Sequence, residues 1–438
     1  MSAVHPLPGT PPLNVAIIGS GIAGLGVAAA LHPKEHVTVF EAADWIGGHS
    51  NTVEVDDEGA RLAIDTGFIV CNDRTYPRFL ALLKRLGVET QPAAMSFSLQ
   101  HEATGLEYAG TDFNSLFAQR RNLLSPSFWR LLVDIVRFNA EARRSLARAD
   151  DGATLGEWLE QRSYGRALGA HYVVPMGRAI WSADERALLG FPARFFIEFF
   201  LRHGLLSLND QPQWRSVVGG SREYVHALAA PFRARIRLAT PVERVQRRPH
   251  GVTVTTAGGH PEPFDAVVFA CHADTALEIL ADPADAEREI LGSFPFQRNE
   301  ALLHTDLRLL PRSPRARAAW NYHLRHGASG PCAITYDMNV LQSLPSARRY
   351  LVSLNLSDRI DPASVLARFD YDHPVYTPAG VAAQRRHDEI SGVNRSFFCG
   401  AYWRHGFHED GLASAHRVLE QFEEWKAAHA QRALSRLG

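Results

Sequence analysis

The chain has 438 residues, 46% of them hydrophobic and 21% charged, and 46 basic against 47 acidic side chains give a net charge of −1. That balance excludes wholesale disorder, collagen and a coiled coil, and without a basic excess it excludes a nucleic-acid binder. The length exceeds what one hydrophobic core usually serves, so two domains are expected.

Met1 to Pro12 has four prolines and no Lys or Arg, which predicts a short flexible tail and not a secretory signal. Residues 13–18 form a compact apolar run bounded by glycine, the pattern of a buried parallel strand. Gly19-Ser20-Gly21-Ile22-Ala23-Gly24 follows, then an alanine-rich helix to Leu31 and a second strand, His36 to Glu41. Phe128 to Arg144 carries apolar residues at helical spacing, and 154–170 continues that pattern. Residues 191–206 are crowded with phenylalanine, and 191–201 reads as a buried helix; its functional alternative is a lipid-accommodating pocket or a membrane-facing patch.

Alternation predicts strands at Ile236 to Arg244 and Val252 to Thr256, a buried strand at Phe264 to Cys271, and more sheet over 299–311 and 331–357. Residues 361–390 read as polar loop, Ser396 to Gly400 as a last short strand, and Leu412 to Ala433 as an amphipathic helix. No apolar run approaches the ~18 to 20 residues of a transmembrane helix. The four cysteines form no CxxC pair, no metal-ligand spacing stands out, and a reducing, cytoplasmic setting is expected.

Gly19-x-Gly21-x-x-Gly24 follows a strand and opens a helix, and Glu41 ends the next strand. The first glycine permits a tight turn, the second lets backbone approach a pyrophosphate, and the third lets helix and strand pack closely. Glu41 suits ribose hydroxyls. The glycine pair Gly47-Gly48, then His49, comes next, and Asp65-Thr66-Gly67 follows. A glycine pair there suits a dinucleotide with a bulky isoalloxazine and has no place in an ordinary NAD-dependent dehydrogenase.

These motifs resemble the FAD-binding fingerprint of the flavin amine oxidase superfamily, which also contains phytoene desaturases and protoporphyrinogen oxidases. Val218-Gly219-Gly220-Ser221, Pro241-Val242 and the segment from Phe398-Cys399-Gly400 to Glu409-Asp410-Gly411 extend the resemblance along most of the chain. The strings Ala179-Ile180-Trp181-Ser182, His203-Gly204-Leu205-Leu206 and Gly406-Phe407-His408-Glu409-Asp410-Gly411, with Trp214, resemble a bacterial group of predicted FAD/NAD-binding proteins. Its members commonly accompany cyclopropane-fatty-acid-synthase-like methyltransferases. Members often have a small or aromatic residue after Trp403, where this chain has Arg404-His405.

The resemblance implies an α/β fold. A Rossmann-like FAD-binding domain (three layers, ββα) from 12–75, 210–275 and 390–438 would interleave with an α+β substrate domain from 76–209 and 276–389. It implies FAD held by Gly19, Gly21, Gly24, Glu41, Gly47, Gly48, His49, Val242, Gly400, Asp410 and Gly411. The reaction expected is oxidation or desaturation of a fatty-acyl lipid by hydride transfer to flavin N5, with His408 first and His405 second as proton acceptor. Peripheral contact with the inner face of the membrane and a methyltransferase partner are expected with it. Two alternatives stand beside this reading: oxidation of a small amine, and a non-catalytic FAD-containing scaffold in a lipid-modifying complex. Many amine oxidases of the superfamily hold a water near N5 with a lysine, and this chain has only Lys34, Lys84 and Lys426.

Overall fold

The computed structural model describes residues 11–207, 210–325 and 330–434. Most of the expected N-terminal tail, residues 1–10, lies outside the described residues. Contacts divide the chain into two units. One is built from 1–50, 224–294 and 382–438, the other from 51–223 and 295–381. Residues 51–75 and 210–223, grouped by sequence with the first domain, make their contacts within the second unit.

The first unit is a five-stranded parallel sheet with β1 (Asn14–Ile18) at its centre. β2 (His36–Phe40) and β4 (Ala266–Phe269) flank β1, while β3 (Ile236–Arg237) and β5 (Ser396–Phe398) close the two edges. Val15, Ala16 and Ile17 are fully buried, as a strand covered on both faces requires. Helix α1 (Ile22–Leu31) returns from β1 and packs on the terminal helix α2 (His408–Leu434). Gly26 makes that contact close, since a Cβ there would sit 3.2 Å from Leu412 Cδ2. An antiparallel meander, Val242–Arg248, Gly251–Thr256 and Glu262–Phe264, supplies the other β layer.

The expected strand Ile236 to Arg244 is two strands in two sheets. Ala239 turns the chain at φ 47° and Pro241, which has no N–H to give a ladder, separates them. Arg247, from the meander, is buried and donates to both oxygens of Glu287 and to Ser396 Oγ.

The second unit centres on a seven-stranded mixed sheet. Its order is Val365–Pro374, Phe296–His304, Leu351–Leu354, Ile334–Asp337, Trp320–Leu324, Phe97–His101, Leu106–Ala109. Thr52–Asp57 and Ala60–Asp65 form a separate hairpin. Residues 361–390, expected as loop, contain the ten-residue edge strand 365–374 and the helix Pro378–Ala383. Val365, Ala367, Phe369 and Tyr371 alternate with more exposed residues, and the charges between them hid a period of two. The sheet expected over 299–311 ends at His304, because Asp306 accepts from Arg308 N and starts a 3₁₀ turn. That expected over 331–357 is broken by the helix Met338–Leu341, capped by Asp337.

Helix Ala193–Arg202 buries Phe195, Phe196, Phe199 and Phe200. Phe199 and Phe195 pack on Trp181 and Tyr376 respectively, with ring centroids 4.7 Å apart in each pair. These rings are spent on core, which removes the membrane-facing alternative for this segment. Among the described residues no helix is long and apolar enough to cross a membrane.

Candidate functional site

The turn after β1 explains its glycines. Gly19 has φ 108°, and a Cβ there would lie 2.7 Å from the Ala270 carbonyl oxygen. A Cβ on Gly24 would collide with the Gly19 carbonyl, so helix and turn meet backbone to backbone. Gly21 is the exception: nothing lies within 4 Å of its Cβ position. It is the N-cap of α1, and no side chain caps that helix and no acidic residue sits in its first turn. Open space therefore meets uncapped N–H groups at the positive end of a ten-residue helix, a fit for a pyrophosphate.

Glu41 follows β2 and ties the motifs together. Its Oε2 accepts from Ser20 N at 2.8 Å and Ser20 Oγ at 2.6 Å, and its Oε1 accepts from Ala43 N at 3.0 Å. Ser20 Oγ in turn accepts from Gly47 N at 3.1 Å. Thr240 N donates to the Glu41 carbonyl, which brings the backbone leading into Val242 beside it. The carboxylate keeps lone pairs for ribose hydroxyls, while its charge repels a 2′-phosphate.

Gly47 and Gly48 have φ 114° and 58°, and a Cβ on Gly48 would lie 3.3 Å from the Gly21 Cα. The glycine pair thus lies against the phosphate turn. His49 continues this loop, its ring centroid 6.3 Å from that of His272.

Ser50 then enters a buried cluster that the sequence did not reveal. Ser50 Oγ lies 2.9 Å from His408 Nε2 and in hydrogen-bond contact with Tyr224 OH, while His408 Nε2 lies 3.0 Å from Tyr224 OH. His408 opens α2, so the cluster pins the glycine loop to that helix's first residue. Burial pushes the His408 pKa down to about 3. Burial thus favours the neutral ring, the form that can accept a proton, while making it a weaker base than a free imidazole.

The remaining expected residues gather around the same helix start. Gly400 N donates to Ser414 Oγ, and a Cβ on Gly400 would collide with the Tyr402 ring. Gly411 faces α1, where a Cβ would sit 2.9 Å from Ile22 Cγ2. Asp410 Oδ2 accepts from the backbone N–H of His405 at 3.2 Å and of Phe407 at 3.1 Å, folding the turn over the helix N-terminus. Burial raises the Asp410 pKa to about 6. His405 enters that turn through its backbone.

In the second unit, Asp65 and the mid-chain glycine pair meet. Asp65 Oδ1 accepts from Ser221 N and Ser221 Oγ, both at 2.8 Å, and from Thr52 Oγ1 at 2.6 Å. Gly220, at φ 87°, turns the chain so that Ser221 reaches it. Burial lifts the Asp65 pKa to about 6 against these hydrogen bonds. Among the described residues no group of three or more His, Cys, Asp or Glu is placed to hold a metal.

A family model for flavin containing amine oxidoreductases matches residues 22–301. The putative flavin-containing monoamine oxidase AofH of Mycobacterium tuberculosis is 31% identical over 260 residues, 57% of this chain and 55% of that protein. Amine oxidase [flavin-containing] B of Homo sapiens is 23% identical over 306 residues, 67% of this chain and 55% of that one. The chain thus spans about half the length of these curated relatives. The solved structure of cyclohexylamine oxidase from Brevibacterium oxydans superposes with a TM-score of 0.69 at 18% identity, covering 94% of this chain and 100% of that one. That likeness shows the fold.

Proposed function

We propose, from the premise that this chain belongs to the flavin containing amine oxidoreductase family, that it is an FAD-dependent oxidoreductase acting on an apolar, fatty-acyl substrate. The observation that carries the FAD reading is the open, uncapped turn at Gly21, bounded by Gly19, Gly24 and Gly48. Bound there, FAD would supply the two-electron acceptor of the reaction. The chain's own work is binding and orientation. The first N–H groups of α1 would hold the pyrophosphate, Glu41 would accept from the ribose, and the backbone around Val242 would serve the adenine.

The Ser50–Tyr224–His408 cluster fixes the glycine loop against the start of α2, and we assign His408 this anchoring role in place of proton transfer. Asp410, with its raised pKa, holds the turn 405–410 over that helix start. The peripheral-membrane and methyltransferase expectations stay with the acyl reading.

The fatty-acyl substrate rests on the resemblance to a lipid-associated group and to the superfamily's desaturases, while the want of any lysine from 85 to 425 disfavours amine oxidation with a lysine-held water. The second reading, oxidation of an amine, is favoured by the curated relatives' names. Anaerobic mixing of the flavin-loaded protein with methylated or unsaturated phospholipid acyl chains, and separately with mono- and polyamines, separates the two. Bleaching of the flavin by the acyl chains supports the proposal, and rapid bleaching by amines alone overturns its substrate half. A yellow protein that neither class reduces points to the scaffold. A colourless protein that refuses FAD on reconstitution overturns the whole reading.

A further inference from the structure

The helix Pro126–Ser145 has two apolar faces where a surface helix should have one. At about 100° per residue, Leu131, Phe138 and Ala142 line one side, and all are buried. Trp129, Val133 and Val136 lie within about 60° of one another on the opposite side, where they are 44%, 63% and 58% exposed.

The stripe continues past the start of the helix. Trp129 Nε1 donates to the Leu123 carbonyl at 2.9 Å, and the neighbouring Leu124 is 88% exposed. Phe113, 63% exposed, joins through the buried Phe117, whose ring lies 4.7 Å from Phe113 and 5.2 Å from Trp129. Most of the large exposed apolar side chains in the described structure fall in this one segment. Scattered singly they would mean nothing; contiguous, they mark a surface that something covers.

The charges around the stripe are predominantly positive. Residues 113–145 carry Arg120, Arg121, Arg130, Arg137, Arg143 and Arg144 against only Asp134 and Glu141, in a chain whose net charge is −1. Asp134 is buried, and Glu141 is held by Arg137 and Tyr164. On the helical projection Arg143 borders the stripe on one side and Arg144 on the other, with Arg137 beyond it already paired to Glu141.

From this arrangement we infer that residues 113–144 form an interfacial docking surface for an anionic lipid bilayer. The aromatic and aliphatic side chains enter the headgroup boundary, and the flanking guanidiniums meet lipid phosphates. Exposed Trp beside flanking Arg is the composition of a helix lying in a membrane plane. A second copy of this chain fits less well, because twofold self-pairing would set these arginines against each other. The inference does not depend on the FAD reading, since neither the glycine turn nor the His408 cluster belongs to this surface.

Co-sedimentation of the full-length, FAD-reconstituted protein with vesicles tests it. Vesicles containing phosphatidylglycerol should bind the protein at least ~10-fold more strongly than pure phosphatidylcholine vesicles, and binding should collapse as salt shortens the Debye length from about 10 Å to about 3 Å. The exposed-site variants Leu124→Asp with Val133→Asp, and Arg120→Glu with Arg121→Glu, should each lose at least ~10-fold of that binding. Their unchanged thermal melting and flavin absorbance would show that folding and cofactor uptake are intact. Failure of the wild-type protein to bind, equal binding to both vesicle types, or variants that bind like wild type overturns the inference. So does concentration-dependent dimerisation abolished by Val133→Asp, which would assign the surface to a second copy.

Discussion

Replacing His408 by alanine separates an anchor from a base. His408 Nε2 sits 2.9 Å from Ser50 Oγ and 3.0 Å from Tyr224 OH, and each such hydrogen bond is worth about 1 kcal/mol net. Ser50 and Tyr224 remain in contact with each other after the change, so no hydroxyl is left stranded and the larger desolvation penalty is avoided. Losing both bonds costs about 2 kcal/mol, which is about 30-fold if the loosened glycine loop expresses all of it in cofactor affinity. His408→Ala should therefore raise the Kd for FAD by about 30-fold, Tyr224→Phe, whose hydroxyl meets both Ser50 Oγ and His408 Nε2, by a similar factor, and the double variant by less than the product, because the two share one cluster. His408→Gln, which keeps a hydrogen-bonding head, should recover most of the affinity. Flavin fluorescence titration reads all four, and the turnover pH profile should keep its shape. An unaltered Kd with a ~10²- to 10⁴-fold fall in kcat, the usual worth of general acid–base catalysis, would refute the anchor and restore the base.

Arg247→Ala should destabilise the first unit by about 3 to 5 kcal/mol, because Glu287 would keep a buried charge without its bidentate partner; thermal unfolding measures it, and a loss under about 1 kcal/mol would contradict the buried pair. Gly21→Val should leave the fold intact, since its Cβ meets open space, yet abolish FAD uptake on reconstitution; normal uptake would move the phosphate site elsewhere. Acid should unfold the protein between pH 6.5 and about 4. Burial lowers the pKa of His203, His304 and His387 to about 4 and of His323 to about 3, so the unfolded chain takes up protons first as pH falls. Each histidine of pKa about 4 then withdraws roughly 3 kcal/mol across that window. Asp65 and Asp410, raised to about 6, work the other way but are fewer. Tryptophan fluorescence that stays native down to pH 4 would show that these histidines are not kept neutral by the fold.

What the sequence made legible was local or periodic. Gly19, Gly21, Gly24 and Glu41 fall within one strand–turn–helix–strand unit, so their spacing carries the geometry. The Phe128 to Arg144 periodicity matched a real helix, and its second, outward apolar stripe is not legible in the periodicity because Trp129, Val133 and Val136 read as core positions until burial separates the two faces. The phenylalanines at 191–201 are core. Ser50 and Tyr224 escaped notice because they stand 358 and 184 positions from His408, and no short motif links them. Burial was equally invisible: His408 sits among charged and polar neighbours in sequence, yet the fold removes it from water and lowers its basicity.

The connectivity of the parallel sheet has a consequence for how the chain comes into being. β1 pairs with β4 across some 250 positions, and β5, at Ser396–Phe398, completes the edge only some 380 positions after β1. A nascent chain leaving the ribosome presents the glycine turn long before the strands and the terminal helix that hold it in shape exist. Non-local parallel pairing is intrinsically slow, and synthesis advances amino end first. The β1 strand must therefore wait, apolar on both faces, until Ser396–Phe398 has been made, and a ribosome stalled before residue 396 would leave a sticky, flavinless chain for the chaperones.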